Sequence, residues 1–196
     1  MNAQSTTEPA THSPTPTIAP TGLRRIVLTG FMGAGKTTIG RLLAQRLGWD
    51  FLDLDAYIEA RTGLSVPSIF SAHGEPRFRQ LESAALASAL GRSNVVLALG
   101  GGTPEVLTNR LLLEQTPATS TIFLDAPFPT LFDRCMLQDQ ARPVLADPAV
   151  AEARFLARQP TYRRLARLTI ATDNLTAEET VTALLDGLSS VHHRRR

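Results

Sequence analysis

Residues 30–37 read GFMGAGKT, matching GxxxxGK[ST] at every fixed position. Glycines at that spacing let backbone N–H groups converge on an anion, and a helix opening at the end of the run adds the positive end of its dipole. The chemistry is a cradle for nucleotide phosphates. Gly30, Gly33, Ala34, Gly35 and Thr38 would line it, Lys36 would reach the β- and γ-phosphates, and the Thr37 hydroxyl would ligate Mg²⁺, so MgATP is the expected donor. Of the 20 basic residues, 19 are Arg, and Lys36 is the only Lys. A compact ammonium on a flexible stem enters a tight phosphate cradle that a planar guanidinium would overfill. The flanks fit this use. Arg25 to Thr29 is a short apolar run that reads as a buried strand, and Ile39, Leu42, Leu43 and Leu47 recur at helical spacing to about Leu47.

Further polar residues fall where later elements should end. FLDLD (51–55) follows as a second strand, leaving Asp53 and Asp55 at its carboxyl end, where open α/β sheets place ligand sites. Asp55 could also cap a helix opening at Ala56. Arg79 and Glu82 lie three apart on a helix expected from about Glu75 to Leu90, so they can pair and hold the guanidinium ready. Phe70 and Phe78 beside them either wall a pocket or fill core. Asn94 to Leu99 reads as a buried parallel strand, and Gly100, Gly101 and Gly102 after it let backbone approach a ligand closely. Residues 137–149 break the helical periodicity with polar residues and two prolines, as a lid would, and contain Arg142. Arg158 begins RQPTY, where Pro160 is expected to force a turn near a helix end.

In order and spacing, GFMGAGKTTIG (30–40), DLD (53–55), FSAHGEPRFRQLE (70–82), LGGG (99–102), RPVL (142–145) and RQPTY (158–162) resemble the shikimate kinase family. The resemblance covers residues 24 to about 188. It implies transfer of the γ-phosphoryl of MgATP to the 3-hydroxyl of shikimate, in aromatic amino acid (chorismate) biosynthesis. It also implies roles. Asp53 would hold a Mg²⁺-bound water, and Asp55 would bind the acceptor hydroxyls and take the proton. Arg79 and Arg158 would grip the acceptor carboxylate, Gly100 to Gly102 would contact shikimate, and Arg142 would swing onto the transferring phosphate. The family's adenine-stacking Arg stands six or seven residues before the lid arginine. Here Arg134 stands eight before it, with Cys135 alongside, and is the residue the resemblance assigns to that task. The turn in residues 168–174 would complete the adenine pocket.

Strands near 25–29, 50–53, 94–99, 120–124 and 167–171 alternate with helical segments. This pattern predicts an α/β fold, a five-stranded parallel sheet with helices on both faces. By resemblance it belongs to the nucleoside monophosphate kinase-like group. One kinase domain is expected over 23–190, between a Thr, Pro, Ser and Ala-rich tail at 1–22, read as disordered, and a basic tail at 191–196.

Without Arg194, Arg195, Arg196 and Glu8, the body keeps 17 of the 20 basic and 17 of the 18 acidic residues. That balance lacks the basic patch of a nucleic-acid binder. Cys135 is the only cysteine, so no internal disulfide forms. With no secretory or transit pattern in the tail and no apolar run near the roughly 18 residues of a membrane span, a monomer in the cytoplasm is expected, with the small-molecule substrate as its partner. Two rivals stand beside this reading. A gluconate or nucleoside monophosphate kinase is opposed by the paired arginines with DLD and GGG. A silent nucleotide-binding relative is opposed by the presence of Lys36, Asp55 and Arg142.

Overall fold

The protein is described here by a computed structural model that covers residues 22–137 and 147–193. In chain order the elements are β1 (Arg25–Thr29), α1 (Lys36–Leu47), β2 (Asp50–Asp53), α2 (Leu54–Thr62), α3 (Val66–Leu90) and β3 (Val95–Ala98). A 3-10 turn (Thr103–Glu105) precedes α4 (Leu107–Gln115), β4 (Thr119–Asp125), α5 (Phe128–Met136), α6 (Pro148–Leu165), β5 (Leu168–Ala171) and α7 (Ala177–His193). All strand pairs are parallel, in the order β2-β3-β1-β4-β5, as the alternating pattern predicts. The chain fills one side of β1 with β2 and β3, then crosses to the other for β4 and β5. Such a switch opens a crevice at the carboxyl ends of the strands.

Alternation along β1 covers both faces of the sheet. Ile26 and Leu28 pack with Ile39, Leu43 and Leu47 of α1 and with Val181, Leu184 and Leu188 of α7. Val27 faces the other way, onto a cluster holding Ile58 of α2 and Ile69, Phe78 and Leu86 of α3. The register then aligns the strand ends: Ala98 of β3 lies opposite Leu28 on one side and Asp53 on the other. The loops leaving these three strands therefore open side by side. They are the glycine-rich run, the DLD segment and Gly100 to Gly102.

Four local expectations change. The cap of α2 is Asp53 rather than Asp55, its Oδ1 accepting from the N–H groups of Asp55 (3.1 Å) and Ala56 (3.4 Å), because the helix already starts at Leu54. The helix expected from about Glu75 is the second half of α3, whose first half starts at Val66 behind a Ser65 cap. The halves meet at Gly74 (φ 75, ψ 170), a left-handed conformation that disfavours a side chain, just before Pro76. Strand β3 begins at Val95 because Asn94 turns into the left-handed region (φ 57), which Asn tolerates. Pro160 does not end α6, which continues to Leu165. The proline forfeits one backbone bond, but Tyr162 (1% exposed) and Leu165 (7%) are buried beyond it, and that packing holds the last turns.

Of the expected lid at 137–149, residues 138–146, with Arg142, lie outside the described residues. Its end is helical, with Asp147 capping α6. No helix among the described residues is long and apolar enough to cross a membrane.

Candidate active site

The phosphate loop leaves β1 and enters α1 through Gly35, whose φ of 83 sets the left-handed N-cap. Lys36 opens the helix and folds back, its Nζ donating to the carbonyls of Gly30 and Phe31, each at 2.9 Å. The ammonium thus lies over the loop whose N–H groups would receive phosphate. Helix α5 supports the loop from behind. A Cβ on Gly33 (φ 78) would strike the Leu131 carbonyl and come within 2.9 Å of Cys135 Sγ, so only glycine fits.

Thr37 Oγ1 donates to Asp53 Oδ2 at 2.8 Å, while Asp53 Oδ1 caps α2. This one carboxylate ties the end of β2 to the start of α1. Because the Thr37 O–H donates to Asp53, the hydroxyl oxygen keeps its lone pairs for a cation, and the two side chains form an all-oxygen donor pair. Such a pair fits Mg²⁺, which takes one or two protein oxygens and fills its remaining positions with phosphate and water. Arg134 reaches across from α5 to the turn after β5, donating to the Thr172 carbonyl at 2.6 Å and to its hydroxyl at 3.2 Å. The structure thereby singles out Thr172 in a segment where the sequence singled out nothing.

The residues expected on the acceptor side come from distant segments and meet at the three glycines. A Cβ on Gly100 would lie 3.0 Å from Asp55 Oδ1, 3.1 Å from Glu82 Oε1 and 3.2 Å from Thr103 Oγ1. A Cβ on Gly102 would collide with the Arg79 guanidinium. One on Gly101 would lie 3.4 Å from Arg158 Nη1 and 3.9 Å from the Gly30 carbonyl of the phosphate loop. Asp55, Arg79, Arg158 and the phosphate loop thus converge on a backbone strip with no side chains of its own.

Electrostatics differentiate these groups. Burial, then the negative charges of Asp53 and Glu82, raise the Asp55 carboxyl to about 6, although Lys36 pulls the other way. Its Oδ1 is buried without a hydrogen-bond partner among the described residues. Burial alone would lower the Arg79 guanidinium, but Glu82 and Glu75 reverse this and raise it. Glu82 is wholly buried; its Oε2 accepts from Arg79 Nη1 at 2.7 Å and its Oε1 from the Thr103 hydroxyl at 2.6 Å. The expected Arg79–Glu82 pair therefore forms, and Glu75 adds a second contact at 3.0 Å. The Arg79 guanidinium also lies over the Phe78 ring. Phe78 fills core at 4% exposed, and Phe70, 4.6 Å away between ring centroids, is 37% exposed.

A family model described as Shikimate kinase matches residues 32–189. The chain belongs to the shikimate kinase family. A shikimate kinase of Symbiobacterium thermophilum is 41% identical over 167 residues, 83% of this chain and 95% of that one. One of Geobacter sulfurreducens is 42% identical over 168 residues, 84% of this chain and 91% of its own. Among solved structures, a shikimate kinase from Acinetobacter baumannii in complex with shikimate superposes with a TM-score of 0.80 at 37% identity, covering 86% of this chain and 94% of that one. A gluconokinase from Sinorhizobium meliloti, 19% identical with a TM-score of 0.60, shares the fold alone. As a member of the shikimate kinase family the chain is an enzyme, a kinase.

Within this shikimate kinase family member, three residues at the glycine strip escaped assignment from sequence. Thr103 directly follows the glycines, so its position was its only signal. Tyr162 sat in the RQPTY run, and its buried hydroxyl donates to the Gly101 carbonyl at 2.5 Å while its ring packs 5.3 Å from Phe123. Burial raises its pKa, so it stays a donor. Glu105, which accepts from Arg158 Nη2 at 2.7 Å, had no signal.

Proposed function

We propose that the chain transfers the γ-phosphoryl group of MgATP to the 3-hydroxyl of shikimate. The observation that carries this reading is the meeting of Asp55, Arg79 and Arg158 at Gly100 to Gly102, beside the phosphate loop. Two forked cations face a strip where a ring bearing a carboxylate can lie flat, and a carboxylate base stands at one end. Asp55, at about 6, is ionised at neutral pH and still basic enough to accept a proton as transfer proceeds.

In the reaction, the 3-hydroxyl oxygen forms a bond to the γ-phosphorus while the bond to the β-γ bridging oxygen breaks, leaving ADP. The hydroxyl proton passes to Asp55. Lys36, released from the Gly30 and Phe31 carbonyls, neutralises charge on the β- and γ-phosphates as it builds. Thr37 and Asp53 would hold Mg²⁺, which when bound would supply further neutralisation of phosphate charge. Arg79 and Arg158 fix the acceptor by its carboxylate, which makes the reacting oxygen's position a matter of binding geometry. Arg142 is assigned to the transferring phosphate and Arg134 to the adenine. The expected setting is a cytoplasmic monomer in aromatic amino acid biosynthesis.

A coupled ADP-release assay with shikimate, gluconate and AMP as acceptors tests this. Release dependent on shikimate alone is expected. Comparable turnover of gluconate or AMP would overturn the acceptor assignment, and no turnover with any acceptor would overturn the catalytic one.

A further inference from the structure

Both arginines at the glycine strip are held by carboxylates, Arg79 by Glu82 and the exposed Glu75, Arg158 by Glu105, and the closest holders differ. Glu82 is wholly buried and engaged on both oxygens, by Arg79 and by Thr103, so it is a permanent part of the framework. Glu105 is different. Its side chain is 47% exposed, against 12% for the Arg158 it contacts, and its carboxylate makes no second hydrogen bond among the described residues. Its backbone is fixed, with the N–H donating to the Gly102 carbonyl at 2.9 Å and its own carbonyl accepting from Arg110 Nη1 at 3.0 Å. Only the side chain is free to leave.

The atom it holds matters. A guanidinium takes a carboxylate bidentately along either of two edges, Nη1 with Nη2 or Nε with Nη2, and Nη2 belongs to both. Glu105 sits on Arg158 Nη2. On the same guanidinium, Nε is buried with no hydrogen-bond partner among the described residues, and Nη1 faces the position a Gly101 Cβ would take. Nη1 also lies beside the Tyr162 hydroxyl. Nη2 is the atom both edges share, and an incoming carboxylate can use either edge fully only by taking Nη2 from Glu105.

We propose that Glu105 is a resident carboxylate which the acceptor's own carboxylate displaces from Arg158, so that this residue sets acceptor affinity and discrimination. The proposal rests on the reading of Arg158 as a carboxylate-binding residue. An acceptor with a carboxylate exchanges a half-exposed, single contact for a bidentate one. An acceptor without one leaves Arg158 with Glu105 and gains nothing there.

Glu105→Gln keeps the shape and removes the charge at a half-exposed site. An exposed pair of this kind contributes little, so the KM for shikimate should fall by about threefold, with a smaller change in kcat. The KM for an analogue whose carboxylate is reduced to an alcohol should not move. Glu105→Asp, which keeps the charge on a shorter arm, should fall between Gln and the unmutated chain. A rise in shikimate KM in Glu105→Gln would mean that Glu105 orients Arg158 instead, and would overturn the proposal. Equal improvement for the alcohol analogue would also overturn it. Arg158→Lys separates the two layers: an unchanged shikimate KM there removes the underlying reading of Arg158. A raised KM there, together with no fall in Glu105→Gln, removes the Glu105 proposal alone.

Discussion

The proposed nucleotide cradle and the proposed acceptor cradle lie side by side at the carboxyl ends of the same sheet, yet they are built in opposite ways. The first is one run of eight residues from the end of β1 into the first turn of α1, and its geometry follows from a strand, a turn and a helix start. The second is assembled from α2, α3, the loop after β3 and α6, which meet only once the sheet has formed. A contiguous site can be held by local backbone conformation. A dispersed site needs ties between segments, and the acceptor side has them: Glu82 to Thr103 and Tyr162 to Gly101. The nucleotide side should therefore fail by loss of chemistry, and the acceptor side by loss of binding.

The sharpest break on the nucleotide side is Lys36→Ala. No other ammonium side chain exists in the chain to replace it, so kcat should fall by at least about 100-fold, as expected for removal of a transition-state charge contact worth several kcal/mol. Steady-state kinetics with saturating shikimate measures this. Retention of more than about a tenth of kcat would deny the ammonium its role.

Asp55 stands where the two cradles meet. Asp55→Asn should lower kcat by about 100-fold or more if it is the proton acceptor. In the unmutated chain, kcat/KM should fall as pH drops through about 6, where the carboxylate takes up its proton. The same raised value has a consequence for stability. An unfolded aspartate titrates near 3.9, so between about pH 4 and 6 the folded chain holds a proton the unfolded chain has released. Stability from this group thus declines as pH rises across that window and stays reduced above it. Asp55→Asn should melt a few degrees higher than the unmutated chain at pH 8, with the difference vanishing near pH 4. An activity loss without that stability gain would place the catalytic role elsewhere than in a desolvated carboxylate.

How far each cradle could be read in advance follows the same division. The phosphate loop, its strand and its helix were legible because their signals are local: glycine spacing, one apolar run, one helical stripe. The five parallel strands were legible for the same reason. Asp53 as a cap was not, since capping depends on which residue leaves the strand first, and that is settled by pairing with β3. Pro160 within α6 was misread because a local rule gave way to burial of Tyr162 and Leu165. Glu105 and Arg158 are 53 residues apart, and Tyr162 and Gly101 are 61 apart. Contacts of that span leave no periodicity in a single sequence.

On the acceptor side, Arg79→Lys and Arg158→Lys keep the charge and lose the fork. Each should raise the KM for shikimate by about tenfold, a charge-assisted pair being worth about 1.5 to 3 kcal/mol, while the KM for ATP stays within about twofold. Arg79 carries the larger structural risk, because the buried Glu82 would keep only one of its two tethers in the present geometry. Its variant therefore requires a melting curve beside the kinetics. Should either substitution raise the KM for ATP as much as that for shikimate, the division between the cradles would fail.

The smallest expected effect tests whether the ties hold the dispersed site or merely the fold. Tyr162→Phe retains the ring against Phe123 and removes one hydrogen bond, leaving the Gly101 carbonyl without its tyrosine donor. A lost buried bond of this kind costs about 1 kcal/mol, which in a chain of this size lowers the melting temperature by about 2 to 4 °C. A purely structural tie would end there. If the tie also positions the glycine strip, the KM for shikimate should rise by about threefold while kcat and the KM for ATP change less, because Gly101 faces Arg158 Nη1. A phosphate loop held by its own turn would not register the loss, although the Gly30 carbonyl lies only 3.9 Å from where a Gly101 Cβ would stand. A rise in the KM for ATP of the same size would therefore show that the strip transmits disorder into the nucleotide cradle, and that the two sites are mechanically one.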